Sequence, residues 1–252
     1  MKRWTWLGIA AAAAVLGSAG AVAAFVSFSD DANGGRVELR AAIVDQLSLT
    51  APNGAFVYEA TALLGTAGYD VDYFPGEQIT VDFYRELPTR DYDMVLVRAH
   101  AGRRVSAEGI TADLFTSEPY SSTAHVDEQR NGVLKVGTYG ENAPLSEALF
   151  TIPAEFVSSE MRGKFRDATV VLMGCDVLGG EQLAQAFVER GAKAVVGWNE
   201  SVSAPHTDAA TLSLLRHLLQ ENAPIEQATA EAREELGPDP YYGAELLLYQ
   251  GS

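Results

Sequence analysis

Residues 168–198 constrain the fold more than any other stretch, because they carry the signals of a strand, a loop, a helix and a second strand in turn. Residues 169–173 form a short apolar run rich in β-branched side chains, which is typical of a buried strand. Residues 181–190 carry apolar side chains at helical spacing and stop at a glycine, and residues 194–198 form a second apolar run. A strand–helix–strand unit makes parallel sheet, so the sequence predicts an α/β domain.

The single cysteine of the protein, Cys175, directly follows the first of these strands. Reacting groups in parallel sheets gather at the carboxyl ends of the strands, and a nucleophilic thiol needs a neighbouring base. His100 ends another predicted strand, residues 93–99, so a parallel sheet brings both side chains to one edge. His206, in the predicted loop 199–206, is the second candidate base. The competing interpretation is structural, since a free cysteine is usually a small buried apolar residue.

These strand ends resemble a known motif. A hydrophobic strand ending in His and Gly, followed later by a strand ending in Cys, is the signature of the caspase-like (clan CD) cysteine peptidases. Within that clan, residues 187–196 (FVERGAKAVV) are most similar to the CHAT group. The resemblance runs from residue 36 to the C-terminus, and it is strongest after residue 168.

The resemblance implies a caspase-like α/β fold, with a doubly wound, mostly parallel sheet and helices on both faces. It also implies an endopeptidase in which Cys175 attacks the scissile carbonyl and His100 holds the thiolate and protonates the leaving amine. Backbone N–H groups near Gly102 and Cys175 would bind the oxyanion. This sequence departs from the family at Ala101, which stands where the family has glycine. A catalytically silent protein-binding module on the same fold is therefore the alternative.

The resemblance also implies a substrate pocket built from the ends of the first strand, the cysteine strand and the strand after it. Those ends carry Asp45, Asp176 and Glu200. A carboxylate cluster is costly without a cation, which predicts cleavage after Arg or Lys. Arginine is favoured because its planar fork pairs two carboxylate oxygens. The alternative is that these acids belong to a surface that is acidic everywhere.

The N-terminal segment predicts membrane targeting. Residues 4–28 are uncharged and mostly apolar, which is long enough to cross a bilayer, and basic residues precede them. We therefore predict a signal anchor at residues 1–28, a linker at 29–35 and a peptidase domain at 36–252. Basic residues before the apolar segment and Asp30 and Asp31 after it predict a single-pass cell-membrane protein with its domain outside the cytoplasm. Cleavage after Ala21 or Ala23, giving a secreted protein, is the alternative.

Composition narrows the partners. The chain has 34 acidic and 18 basic side chains, a formal net charge of -16. Such a surface repels phosphates, which argues against nucleic acid and leaves a protein or peptide as the expected partner. Cofactor and metal are not expected, because the sequence has no GxGxxG, P-loop, CxxC or HExxH pattern.

Before residue 103, predicted strands and helices follow one another in turn, and the long segment 103–164 interrupts this order. The predicted order is strand 37–45, helix 54–68, strand 71–74, helix 81–87 and strand 93–99. Residues 103–164 are long and polar, with a predicted strand at 133–139 and a helix at 152–161. The resemblance implies a hairpin and loops bordering the substrate groove here, and an irregular surface excursion is the alternative.

Overall fold

The computed structural model describes residues 38–106, 109–140 and 143–251. Its strands are β1 Leu39–Asp45, β2 Tyr69–Pro75, β3 Met94–Arg98, β4 Ala101–Ser106, β5 Gly109–Pro119, β6 Lys135–Gly137, β7 Leu149–Ile152, β8 Thr169–Leu172, β9 Ala194–Trp198 and β10 Leu246–Gln250. Its α-helices are α1 Gly54–Thr66, α2 Val81–Glu86, α3 Val126–Arg130, α4 Ala154–Ser159, α5 Gln182–Glu189, α6 Ala204–Leu215 and α7 Ile225–Leu236.

Six strands form the central sheet in the order β10-β9-β8-β3-β1-β2. All the neighbouring pairs are parallel except β9 with β10, which is antiparallel. Every residue of β3 and of β9 is buried, which explains why these strands are continuous apolar runs and not alternating patterns. The predicted α/β class with a mostly parallel sheet is therefore confirmed.

Helices pack against both faces of this sheet, because successive side chains of each strand point to opposite sides. In β1, Ala42 and Val44 belong to a core that includes residues of α2, α4 and α5. Ala41 and Ile43, the alternate residues, belong to a second core with residues of α1, α6 and α7.

The excursion between β3 and β8 builds a second sheet. Its four strands are antiparallel, in the order β4-β5-β7-β6. The predicted helix at 152–161 is wrong at its start, because Ile152 ends β7 and Pro153 precedes α4. The predicted strand at 133–139 is shorter in the structure, where only Lys135–Gly137 pairs with β7.

The predicted anchor and linker lie outside the described residues. Among residues 38–106, 109–140 and 143–251, no helix combines the length and the apolar character needed to cross a membrane.

Candidate active site

His100 and Cys175 lie at the carboxyl ends of adjacent parallel strands. Val97 of β3 is in register with Leu172 of β8, and the two chains continue from there to His100 and Cys175. Both residues line one cavity of about 50 Å³. The other residues lining it are Leu47, Ala99, Met173, Gly174, Val202, Ala204 and Thr207. The structure therefore brings the predicted nucleophile and base to a common cavity.

Gly174 holds the two strand ends against each other. A Cβ atom at this position would lie 2.8 Å from the carbonyl oxygen of Ala99 and 2.9 Å from Cβ of Ala101. Real Cβ atoms do not approach other atoms so closely, so the residue before Cys175 packs this tightly only as glycine. The main chain on either side of His100 is consequently in contact with the main chain before the cysteine.

Cys175 is held as a thiol by its surroundings. Its S–H donates to the carbonyl oxygen of Val202 at 3.6 Å, and Sγ accepts the N–H of the same residue at 3.4 Å. Burial raises the pKa of the Cys175 thiol, and the carboxylates of Asp176 and Asp239 raise it further. The protonated form is therefore the resting form at neutral pH.

His100 is oriented from two sides. Nε2 lies 3.0 Å from Oγ1 of Thr50, and the backbone N–H donates to Oε1 of Gln46 at 3.0 Å. The imidazole also packs on Tyr139, with ring centroids 4.6 Å apart. Burial lowers the pKa of His100, and the Arg98 guanidinium lowers it further, so the imidazole is neutral at rest.

The two side chains do not bond to each other. Within the described part of the chain, the hydrogen bonds of Sγ go to Val202 and Ser201, and that of the imidazole goes to Thr50. The arrangement is a neutral thiol beside a neutral base in one cavity, and a proton must move before the sulfur becomes a strong nucleophile.

The amide groups after His100 differ in their direction. Phe115 donates its N–H to the carbonyl oxygen of His100 at 2.9 Å, and the pairing continues with Gly102 opposite Asp113. Hydrogen-bonded pairs alternate in an antiparallel ladder, so the Gly102 amide faces β5. The nitrogen of Ala101 lies 3.4 Å from the position of a Cβ on Gly174. The amide on the side of the cysteine strand is therefore that of Ala101.

Arg98, which the sequence analysis missed, forms a buried ion-pair network under the site. Its Nη1 donates to Oδ1 of Asp45 at 2.8 Å, and its Nε and Nη2 donate to the two carboxylate oxygens of Asp208 at 2.7 and 2.9 Å. Nη2 also donates to the carbonyl oxygen of Ala51 at 2.8 Å. The network fixes the loop that carries Thr50. A lone arginine ending an otherwise apolar strand was the available signal.

The three carboxylates expected to form the substrate pocket are not in one place. Asp45 is 1% exposed and is neutralised by Arg98. Asp176 is buried and accepts the hydroxyl of Ser201 at 3.2 Å. Burial raises the pKa of Asp176, and the nearby Arg103 guanidinium opposes that shift. The backbone N–H of Asp176 donates to the carbonyl oxygen of Glu200 at 3.0 Å, so these two residues are neighbours. Because β3 separates β1 from β8, Asp45 stands about 10 Å from them.

The other histidines have other partners. His206 lies in the first turn of α6 and not in a loop, and its Nε2 is 3.2 Å from the carbonyl oxygen of Gly237. His125 bonds Oε1 of Glu118 at 2.7 Å. His217 lies in the π-helical segment Arg216–Gln220 that follows α6, and its ring nitrogens are within 3.3 Å of the carboxylates of Glu221, Glu231 and Glu235. With Glu221 and Glu231 it forms a group whose ligand atoms lie within 4.8 Å of one another.

Comparison with known protein families finds no match, and comparison with curated proteins finds none either. Among solved structures, the chain is similar to the protein GSU0716 from Geobacter sulfurreducens. The two are 10% identical, the match covers 85% of this chain and 94% of that chain, and the TM-score is 0.38. A similarity this low says nothing about function.

Proposed function

We propose that this protein is a cysteine endopeptidase with a caspase-like fold, in which Cys175 is the nucleophile and His100 the general base. The observation that carries the proposal is the common cavity of these two residues at the ends of adjacent parallel strands. A thiol and an imidazole so arranged are the reacting groups of acyl transfer. The resemblance of residues 93–102 and 168–198 to clan CD peptidases supports the same reaction.

In the proposed reaction, His100 takes the S–H proton as Sγ forms a bond to the scissile carbonyl carbon. The amides of Cys175 and Ala101 donate hydrogen bonds to the oxyanion, and this replaces the donor near Gly102 that the sequence predicts. The C–N bond then breaks as the imidazolium protonates the leaving amine. A water molecule, deprotonated by His100, hydrolyses the thioester and restores the thiol.

Thr50 is the positioning residue in this scheme. When the Nε2–H of His100 donates to Oγ1 of Thr50, Nδ1 is the unprotonated nitrogen and can accept the thiol proton. Thr50→Val should therefore lower kcat by weakening control of the tautomer, while the melting temperature changes little. Thr50→Ser keeps the hydroxyl and should restore most of the activity.

A catalytically silent protein-binding module is the second candidate. The observation that favours it is the direction of both pKa values, since burial raises that of the Cys175 thiol and lowers that of the His100 imidazole. In the peptidase, a peptide bound in the cavity causes the S–H proton of Cys175 to move to His100, whereas in the binding module it does not. Faster alkylation of Cys175 when peptide is added, or cleavage of the peptide by Cys175, therefore distinguishes the two.

We further propose that residues 1–28 anchor the protein in the cell membrane as a single-pass segment, with the domain outside the cytoplasm. The substrate is then an extracytoplasmic protein or peptide. The acidic composition supports this partner class over nucleic acid. Release of the protein from membranes by detergent, and not by carbonate, tests the anchor. A mature N-terminus after Ala21 or Ala23 would contradict it.

The test of activity is cleavage of a proteome-derived peptide library by the full-length protein in detergent, with new termini identified by mass spectrometry. Cys175→Ala should abolish cleavage, and His100→Ala should lower it by about 10²–10⁴. His206→Ala is the matched control and should keep wild-type activity. Cleavage that survives Cys175→Ala contradicts the proposal, and a wild-type protein that cleaves nothing favours the binding module.

A further inference from the structure

The cavity beside Cys175 and His100 is small and mostly apolar. At about 50 Å³ it has room for only a few methyl-sized groups. Its walls include Leu47, Met173, Val202 and Ala204. The hydroxyl of Thr207, the polar side chain on this wall, already accepts the indole N–H of Trp198 at 2.9 Å.

The cavity also lacks a charge that could receive a charged substrate side chain. None of its described lining residues is Asp, Glu, Lys or Arg. Asp45, the acid closest along the chain to Leu47, is held by Arg98 and by the hydroxyl of Tyr73. Asp176 and Asp239, the acids near Cys175, accept the hydroxyls of Ser201 and Ser203 and do not line the cavity. A buried charge without a partner is strongly unfavourable, and an arginine, lysine or aspartate side chain meets no ion-pair partner among the described residues that line the cavity.

We propose that this cavity receives the side chain of the residue before the cut, and that it selects a small apolar residue, alanine or valine. The proposal rests on the proposed peptidase function and names its substrate class. A small apolar side chain fills the available space and needs no hydrogen bond. Larger apolar side chains exceed the volume, and charged ones lose their hydration without compensation.

Binding can be measured without turnover. The full-length Cys175→Ala variant is titrated with acetylated tetrapeptides that end in a free carboxylate and differ only in the last residue: Gly, Ala, Val, Leu, Arg or Asp. These peptides are products of the proposed reaction. We expect Ala and Val to bind at least tenfold more tightly than Arg or Asp, since even single methylene changes in a pocket shift discrimination by 10–200-fold.

Two substitutions change the cavity in opposite directions. Ala204→Leu fills it and should weaken the peptide ending in Ala about tenfold relative to the one ending in Gly. Leu47→Ala enlarges it and should make the peptide ending in Leu the preferred one. Ala209→Leu is the matched control, since Ala209 lies on the same helix, is equally half-buried and does not line the cavity.

The outcomes separate this proposal from the proposed function. Tightest binding of the Arg peptide, absence of binding by every peptide, or an Ala204→Leu effect equal to that of Ala209→Leu overturns the pocket. Wild-type cleavage after Arg or Lys also overturns the pocket while supporting the peptidase. Selective binding of Ala and Val peptides without any wild-type cleavage supports the pocket and rejects the peptidase.

Discussion

Removing Arg98 should destabilise the protein strongly, because this side chain neutralises two buried carboxylates. Arg98 is 1% exposed, and the side chains of its partners Asp45 and Asp208 are 1% and 5% exposed. Arg98→Met keeps the apolar stem but leaves both acids without a cation. Breaking a buried ion pair by removing one partner costs about 3–5 kcal/mol, and the free energy of unfolding should fall by that amount.

The assay is urea unfolding followed by circular dichroism, with thermal unfolding beside it. For a chain of this length 1 kcal/mol corresponds to about 2–4 °C, so the melting temperature should fall by roughly 6–20 °C. The triple variant Arg98→Met, Asp45→Asn, Asp208→Asn should recover a large part of the loss, because the uncompensated charges are gone. The recovery measures the coupling in the network.

The matched control is Arg166→Met. Its ion pair with Asp91 joins side chains that are 79% and 50% exposed, and exposed pairs contribute about 0–1 kcal/mol. A loss for Arg98→Met no greater than the loss for Arg166→Met would refute the reasoning. It would mean that water reaches Asp45 and Asp208 in the folded protein.

Four further outcomes are expected. Gly174→Ala should lower kcat/KM strongly by forcing the two strand ends apart, whereas Gly65→Ala, where a Cβ meets nothing within 4 Å, should not. Because burial raises the pKa of Cys175, its alkylation by iodoacetamide at pH 7 should be slower than that of free cysteine and should rise with pH; a faster rate contradicts the resting thiol. Although burial alone would raise it, hydrogen bonds from Ser203, Tyr241 and Tyr242 lower the pKa of Asp239 to about 2. At pH values above the unfolded pKa of Asp239, this lower pKa stabilises the folded state by about 2–3 kcal/mol, and the stabilisation is lost as the pH falls towards 2. Asp239→Asn should remove that pH dependence of the free energy of unfolding. The Glu221 carboxylate, with Glu231 and Glu235, raises the pKa of His217. The positive charge of His217 therefore stabilises the folded state below pH 6.5, and this stabilisation is lost as the pH rises; it should be absent from the pH-dependent unfolding of His217→Gln.

The central sheet was predictable because its strands are short, apolar and bounded by turn residues. The strand predicted at 194–198 has those same bounds in the structure, and the one predicted at 169–173 ends one residue earlier. Helix α1 begins at Gly54 as expected, because Asn53 accepts the N–H of Phe56 at 3.1 Å and caps it. In these segments local pattern and tertiary burial agree.

The second sheet was not predictable in the same way. Strand β5 runs for eleven residues, Gly109–Pro119, but carries Thr, Asp, Ser and Glu among its apolar residues. Two of its acids find their partners on other elements: Asp113 pairs with Arg104 of β4, and Glu118 accepts the N–H of Val81 at 3.0 Å. Such partners lie on other elements, so a local pattern cannot reveal them.

In the candidate site, too, some features could be predicted from the sequence and others could not. The proximity of His100 and Cys175 followed from two strand ends in one parallel sheet, which is a topological argument. The state of the Asp45 carboxylate depends on Arg98, 53 positions away and on the neighbouring strand. No basic residue closely follows Asp45 in the sequence, so the local pattern did not indicate that Arg98 neutralises it. For that reason Asp45 was expected to be available to a basic substrate side chain.

The partial burial of Cys175 and His100 sets the protonation state of the site before substrate binds. The same burial that leaves about 50 Å³ beside Cys175 also raises the pKa of the thiol and lowers that of His100. A thiolate and an imidazolium are each unfavourable there alone, but together they attract each other in a low dielectric. In the proposed peptidase, a bound peptide would displace the hydrogen bonds between Cys175 and Val202, and the thiol would then be free to give its proton to His100. A bell-shaped pH profile of kcat, with slow alkylation of the free protein, is the expected signature.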